Sequence, residues 1–304
     1  MPCRERNRCI WACVLLLAHC LPALAEPQTS LPATVNRVLV QRKLPETAVS
    51  AFVQRVGATE PILAFNPDVP RNPASVIKLV TTFAALEALG PTYQWRTEAY
   101  VDGRMEGGTL TGDLLLKGYG DPYLVTERLW LLQRELRNRG LRVIDGDLVI
   151  DNSWFAREEL DPGAFDGQTY RAYNALPDAL LVNFQAVNFT FRPDPARGRV
   201  EILADPVLAN LEVQNNMRLF RGGCGSAKSG ISMVVGSAPP RPRVTFSGAL
   251  ASQCAEYELL RSILDGPAFT YGAFRGLWEE QGGQITGGMR QGQVPDGKTP
   301  FVTF

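Results

Sequence analysis

The sequence is almost without histidine: its one example, His19, lies inside a leader-like start. Arg4, Arg6 and Arg8 precede the apolar run "IWACVLLLA", and "LPALA" ends on the small residues Ala23 and Ala25. That order reads as a secretory signal peptide over residues 1–25, cut before Glu26. The mature chain then holds no histidine, which excludes an internal Ser-His-Asp triad and a histidine-ligated zinc site. No metal or other cofactor is expected, and no Gly-x-x-x-x-Gly-Lys-Ser/Thr phosphate loop occurs. Charge of one sign is equally scarce. Taking Arg4, Arg6, Arg8 and Glu5 from a chain with 31 basic and 31 acidic residues leaves a net charge near −2. With no run of like charges, neither nucleic acid nor an anionic membrane surface is an expected partner. Past the signal, no apolar run is long enough to be a transmembrane segment.

Cysteine is scarce too. Cys3, Cys9, Cys13 and Cys20 leave with the signal, so Cys224 and Cys254 remain in a compartment where disulfides persist. A bridge between them closes a loop of roughly 30 residues and contributes about 3–4 kcal/mol on the loop-entropy estimate. The other reading is two unpaired buried thiols.

What the chain does have is size and a nucleophile candidate. Its 304 residues, 45% apolar, allow two domains with proper cores. In "RNPASVIKLVTTFAAL", residues 71–86, turn chemistry at 71–73 precedes Val76, Ile77, Val80, Phe83, Ala84 and Leu86 at helical spacing, and Gly90-Pro91 ends the run. Ser75 falls in the first turn, and Lys78, three residues on, is its neighbour on the helix. A serine hydroxyl needs a base to take its proton, and a lysine at its ordinary pKa is almost wholly charged at pH 7. Burial and the positive end of the helix dipole both favour the neutral amine. The apolar face is therefore expected to bury both side chains, with Ser75 as nucleophile and Lys78 as general base.

The surroundings narrow this further. "NPASVIKLVTTFAALEALGPTYQWRTEAY", "GGTLTGDLLLKGYGDPYL", "GDLVIDNSWF" and "YNALPDALLVNFQAVNF" resemble the D-alanyl-D-alanine carboxypeptidase/endopeptidases of the penicillin-binding protein 4 type, the class C low-molecular-mass penicillin-binding proteins, from about residue 35 to about 295. The resemblance implies that Ser75 is acylated by the peptidoglycan stem peptide, that β-lactams act as inhibitors at the same serine, and that the protein is exported to a bacterial periplasm. It also implies an α/β (α+β) fold: an incomplete serine β-lactamase/transpeptidase-like domain with a large inserted α/β and β-rich accessory region. The expected boundaries are the signal peptide at 1–25, the Ser-x-x-Lys part of the transpeptidase-like domain at 26–95, the inserted domains at 96–265, and a return to the first domain at 266–304. Inserted-domain acids in this family can face the cleft and bind the diamino acid of the stem peptide, which makes Asp166 a candidate substrate contact.

One departure stands out. Penicillin-binding proteins complete the site with Ser-x-Asn and Lys-Thr/Ser-Gly. The mature chain has no Ser-x-Asn, Lys298-Thr299-Pro300 carries proline where the strand needs a backbone N–H, and Lys228-Ser229-Gly230 sits in the accessory region. The family's elements lie beyond the position where this sequence stops, so a C-terminally truncated member is expected. Losing one oxyanion donor costs roughly 3 kcal/mol in the transition state. The 304 residues alone are thus expected to turn over little substrate, and stoichiometric penicillin labelling of Ser75 would overturn that. A β-lactamase, or a non-catalytic chain that binds peptidoglycan through its accessory domain, are the alternatives.

Local patterns place the other elements. "TAVSAFVQRVG" and "PILAFNP" read as a hairpin, and 126–140 as an amphipathic helix with Leu129, Leu132 and Leu136 inward. "LVIDNSWF" reads as a buried strand and turn, and "RVEILA" and "RVTFSG" as strands of a small β-rich part. Residues 270–283 read as a helix with Phe274, Leu277 and Trp278 on its core face. Asp121 is a turn acid. Trp130, Trp154 and Trp278 are read as packing residues.

Overall fold

The computed structural model describes residues 28–156, 158–224, 230–236 and 241–304. The signal segment, and Lys228 and Ser229 of the Lys-Ser-Gly match, lie outside the described residues. The chain divides into a first unit ending at Thr92 and a second, Tyr93–Phe304.

In the first unit, helix α1 (Ala33–Gln41) precedes an antiparallel hairpin of β1 (Ala51–Gln54) and β2 (Pro61–Phe65), registered Ala51 to Phe65. A 3₁₀ turn, Ala74–Val76, then leads into α2 (Ile77–Leu89), which Gly90 ends in the left-handed region. Helix α2 is apolar on nearly every side and exposed along its whole length.

The second unit is built on a mixed sheet. Its first strands, β3 (Thr97–Glu106) and β4 (Thr109–Gly118), form a hairpin. After helix α3 (Thr126–Asn138) come β5 (Val143–Asp145) and β6 (Leu148–Asp151), both parallel to β4. β4 changes partner from β5 to β6 around Gly112, whose φ of 137° and close approach to Asp102 leave no space for a Cβ.

Two three-stranded sheets follow. β7 (Val187–Asp194), β8 (Arg199–Asp205) and β9 (Glu212–Phe220) come first, then β10 (Ile231–Gly236), β11 (Arg243–Ala251) and β12 (Tyr257–Arg261). They are ordered β12-β7-β8 and β10-β11-β9. Phe189 and Phe191 of one sheet meet Phe246 of the other at ring distances of 4.8 and 5.0 Å, the core of the β-rich part. Cys224 and Cys254 are joined by a disulfide.

Helix α4 (Gly266–Glu280) is capped by Asp265, which accepts from the Ala268 amide at 2.9 Å. β13 (Gln284–Ile285), β14 (Met289–Gln291) and β15 (Val302–Thr303) then join the mixed sheet beside β5, β6 and β3. Residues 266–304 pack inside the second unit. The reason is apolar area: Phe274 and Trp278 are fully buried with Leu129, Leu132 and Leu136 of α3 in one core, and Gln133 donates to the Phe274 carbonyl.

Alternation along the sheet separates two faces. Leu110, Leu114 and Leu116 point into the helix-covered core, while Tyr100, Leu115 and Val149 point the other way. Trp278 packs as read, but Trp130 and Trp154 do not: they are 39% and 58% exposed. Asp121 serves its turn by accepting from the Tyr123 amide.

Candidate active site

The turn that carries Ser75 is assembled from backbone constraints. Arg71 ties it to the entry of β1 by donating to the Thr47 carbonyl at 2.7 Å and the Ser50 hydroxyl at 3.0 Å. Asn72 accepts from the Ala74 amide at 2.9 Å, and the Val76 amide bonds the Pro73 carbonyl. Ala74 is held at φ 44°, a left-handed conformation that costs a non-glycine residue about 1 kcal/mol or more. That strain sits immediately before Ser75 and turns the next residues into the helix.

Lys78 Nζ donates to Ser75 Oγ at 3.0 Å. Amine and hydroxyl are therefore within proton-transfer reach in the structure, as the three-residue spacing implies. The expected burial is absent. Every residue from Arg71 to Leu89 is exposed, because among the described residues no strand or second helix packs along α2 to any extent. The Lys78 ammonium is bathed by solvent, and desolvation by an apolar face is not supplied here.

Asp166 lies in the loop between β6 and β7 and is fully engaged locally. Its carboxylate accepts from the Tyr173 hydroxyl (2.6 Å), the Asn174 amide (2.8 Å), the Gln168 backbone N–H (2.9 Å) and the Arg171 guanidinium (3.1 Å). The Tyr173 hydroxyl above all, and these other donors with it, hold the carboxyl below the usual range, so it is ionised at neutral pH. Lys298 pairs with Asp102 at 2.6 Å across the sheet edge, a structural ion pair.

The sequence reading missed a polar network on the sheet face away from the helices. Glu98 is buried and accepts from the Tyr100 and Tyr119 hydroxyls at 2.6 and 2.5 Å, with Arg96 3.6 Å away. Burial, then the bond to Glu98, pushes the Tyr100 hydroxyl up. Asp151, wholly buried at the end of β6, accepts from the Ser153 amide (3.0 Å), the Ser153 hydroxyl (2.6 Å) and the Val294 amide (2.8 Å). Lys117 approaches it to 3.5 Å. Burial opposes ionisation of Asp151, but these donors outweigh it and its carboxyl is held low.

A strained α/β chain with a serine–lysine pair one helical turn apart defines a candidate serine acyl-transfer protein. The D-Ala-D-Ala carboxypeptidase 3 (S13) family matches residues 31–303, and the chain belongs to that family. The D-alanyl-D-alanine carboxypeptidase of Actinomadura sp. is 29% identical over 287 residues, 90% of this chain and 52% of that protein. The D-alanyl-D-alanine carboxypeptidase DacB of Haemophilus influenzae is 31% identical over 157 residues, 51% of this chain and 33% of that protein. The chain thus spans about half the length of the first relative and a third of the second. Among solved structures, penicillin binding protein 4 (dacB) from Haemophilus influenzae superposes with a TM-score of 0.66 at 22% identity, covering 90% of this chain and 59% of that one. The same protein complexed with a β-lactam gives 0.60 at 21% identity, covering 90% and 57%. The fold is that of a penicillin-binding protein. Among the described residues, no helix is long and apolar enough to cross a membrane.

Proposed function

We propose that the protein is an exported, periplasmic serine-type D-Ala-D-Ala carboxypeptidase/endopeptidase acting on peptidoglycan stem peptides. The carrying observation is the 3.0 Å contact from Lys78 Nζ to Ser75 Oγ inside a family whose members are named for that activity. In this reading Lys78, in its neutral form, takes the hydroxyl proton as Ser75 Oγ attacks the carbonyl carbon of the penultimate D-alanine. The C–N bond to the terminal D-alanine breaks, that residue leaves as the amine after gaining a proton, and an ester remains on Ser75. Water then hydrolyses the ester. β-Lactams acylate the same oxygen by ring opening. Asp166, ionised and fixed by Tyr173, Asn174 and Arg171, is proposed to meet the ammonium of the diamino acid.

Intact-mass analysis after long incubation with benzylpenicillin tests the reading. The expected result is a slow, substoichiometric penicilloyl adduct, as befits a chain impaired by truncation, on the peptide containing Ser75, absent from Ser75→Ala and formed at least about tenfold more slowly in Lys78→Ala. No adduct at all, or one that survives Ser75→Ala, would refute it.

A further inference from the structure

The two small sheets of the second unit each end in an edge strand, β12 in one and β10 in the other. Between these edges opens a cavity of about 720 Å³, lined by Arg171, Arg261, Ile231, Met233, Tyr257 and Leu259. Its size is within the range of ligand sites. Among the described residues, the outer edge of β12 is paired only at one end. There Arg171 bridges Arg261, and the Ser262 amide bonds the Tyr170 carbonyl at 3.0 Å. Backbone groups alternate between the two sides of a strand, so those of Leu260 and Glu258 face the same open edge as those of Ser262.

Arg261 closes that end of the groove. It is half-buried, and its guanidinium donates to the Leu260 carbonyl at 2.8 Å. No acid among the described residues acts on it, and its charged neighbour is Arg171, which is itself paired with Asp166 at 3.1 Å. The sequence rules out a hidden partner nearby: outside the described residues the only acids are Glu5 and Glu26, at the start of the chain, and 225–229 and 237–240 hold none. Burial above all, with Arg171 adding to it and Tyr257 opposing, lowers the Arg261 pKa. An arginine stays charged regardless, so a partly desolvated cation faces the cavity without a counter-ion. Glu258, the other charged residue of the strand's lining, is exposed and alternates to the opposite face of β12.

Three features select the ligand. The guanidinium calls for a carboxylate, which it can hold through two parallel bonds. The outward backbone groups of Glu258 and Leu260 call for a chain with N–H and C=O groups at strand spacing. Tyr257, Leu259, Ile231 and Met233 call for an apolar side chain between them. A small inorganic anion would answer the first feature alone, and a purely apolar molecule the last alone. We propose that the groove binds an extended acidic peptide, which lies along β12 as an added strand and sets a carboxylate against Arg261. The open edge from Tyr257 to Leu260 takes about four residues, roughly 13 Å of chain. The inference goes beyond the peptidoglycan reading and does not rest on acylation at Ser75.

The probe is Ac-Glu-Thr-Val-Thr-Glu-NH₂, in which alternation puts both glutamates and the valine on one face, so either strand direction brings a carboxylate to Arg261. Binding to the whole chain is followed by titration calorimetry. A Kd of about 0.05–2 mM is expected, with the glutamine analogue at least about fivefold weaker. An analogue N-methylated at its three middle residues, which cannot donate to a strand edge, should be at least about tenfold weaker. Arg261→Gln should lower the affinity for the glutamate peptide to that of the glutamine analogue and change the analogue's own binding by less than about twofold. Arg261→Lys, which keeps the charge, should still prefer the glutamate peptide, and it decides the matter if Arg261→Gln fails to fold. No binding up to about 10 mM, or equal binding of either analogue, overturns the proposal. So does displacement of the peptide by an equal concentration of inorganic phosphate, or a dimer of the chain that Arg261→Gln dissociates, since a second copy would then occupy the edge. Ser75→Ala should bind the peptide as the unaltered chain does. Peptide binding without a penicilloyl adduct would count against the catalytic reading alone, and an adduct without peptide binding against the groove alone.

Discussion

Replacing Asp151 by asparagine should destabilise the second unit far more than an average substitution. The side chain is wholly buried, and its two oxygens divide the work: Oδ1 accepts twice from Ser153, while Oδ2 accepts from the Val294 amide and faces Lys117. Asparagine keeps one acceptor and sets an NH₂ group against either the Val294 N–H or the Ser153 donors. One charge-assisted bond is lost, at about 1.5–3 kcal/mol, and one buried donor is left unsatisfied, at about 1–3 kcal/mol. Lys117, mostly buried, also loses its partner. Together these amount to about 3 kcal/mol or more, a large part of the roughly 5–15 kcal/mol that stabilises a domain. For a unit of this size the thermal midpoint should fall by about 6–12 °C.

The pH dependence gives an independent check. Because the native carboxyl is held below 3.8, its contribution is complete above the unfolded pKa and disappears as pH falls through the lower native one. The unaltered chain and Asp151→Asn should therefore differ fully at pH 7 and draw together as the pH falls below the ordinary carboxylate range and through the lowered native value. Urea unfolding followed by tryptophan fluorescence measures both. A difference under about 1 kcal/mol at pH 7, or one that does not shrink in acid, would show that the Asp151 clamp is not the device described.

Gly112→Ala forces a left-handed φ on alanine and drives its Cβ to 2.2 Å from the Asp102 carbonyl oxygen; a loss of about 2–4 kcal/mol in urea unfolding is expected. Arg71→Ala frees the nucleophile turn from the hairpin and should slow penicilloyl-adduct formation several-fold while leaving the thermal midpoint of the second unit unchanged. Reducing the Cys224–Cys254 bridge, with a sequence separation of 30, should cost the β-rich part about 3 kcal/mol. Leu79 and Phe83 are 73% and 65% exposed, so the chain should bind a hydrophobic dye, and Leu79→Ser with Phe83→Ser should remove much of that signal.

The readable parts of the fold were those with a period. Leu129, Leu132 and Leu136 announce α3 because a single buried stripe dictates the spacing, and Phe274 with Trp278 does the same for α4. Ser75 and Lys78 were legible because their contact is local to one helical turn. The Asp151–Val294 and Glu98–Tyr119 bonds were not, since they join residues far apart in the chain, and a charged strand residue looks like a solvated one until its neighbours are known. Burial of Lys78 was inferred from an apolar helix, but an apolar surface needs a partner element before it is buried. The destination of residues 266–304 has a related cause: it depends on which core Trp278 enters, and sequence order does not decide that.

The exposed apolar girth of α2 has a consequence for the molecule in solution. Salts excluded from protein surfaces raise the free energy of just such wetted hydrocarbon. Ammonium sulfate should drive the chain into reversible self-association at concentrations that leave ordinary domains dispersed, and low-salt buffers with mild detergent should keep it monodisperse. Handling of this protein will be governed by Leu79, Val80 and Phe83 well before any reaction at Ser75 can be assayed.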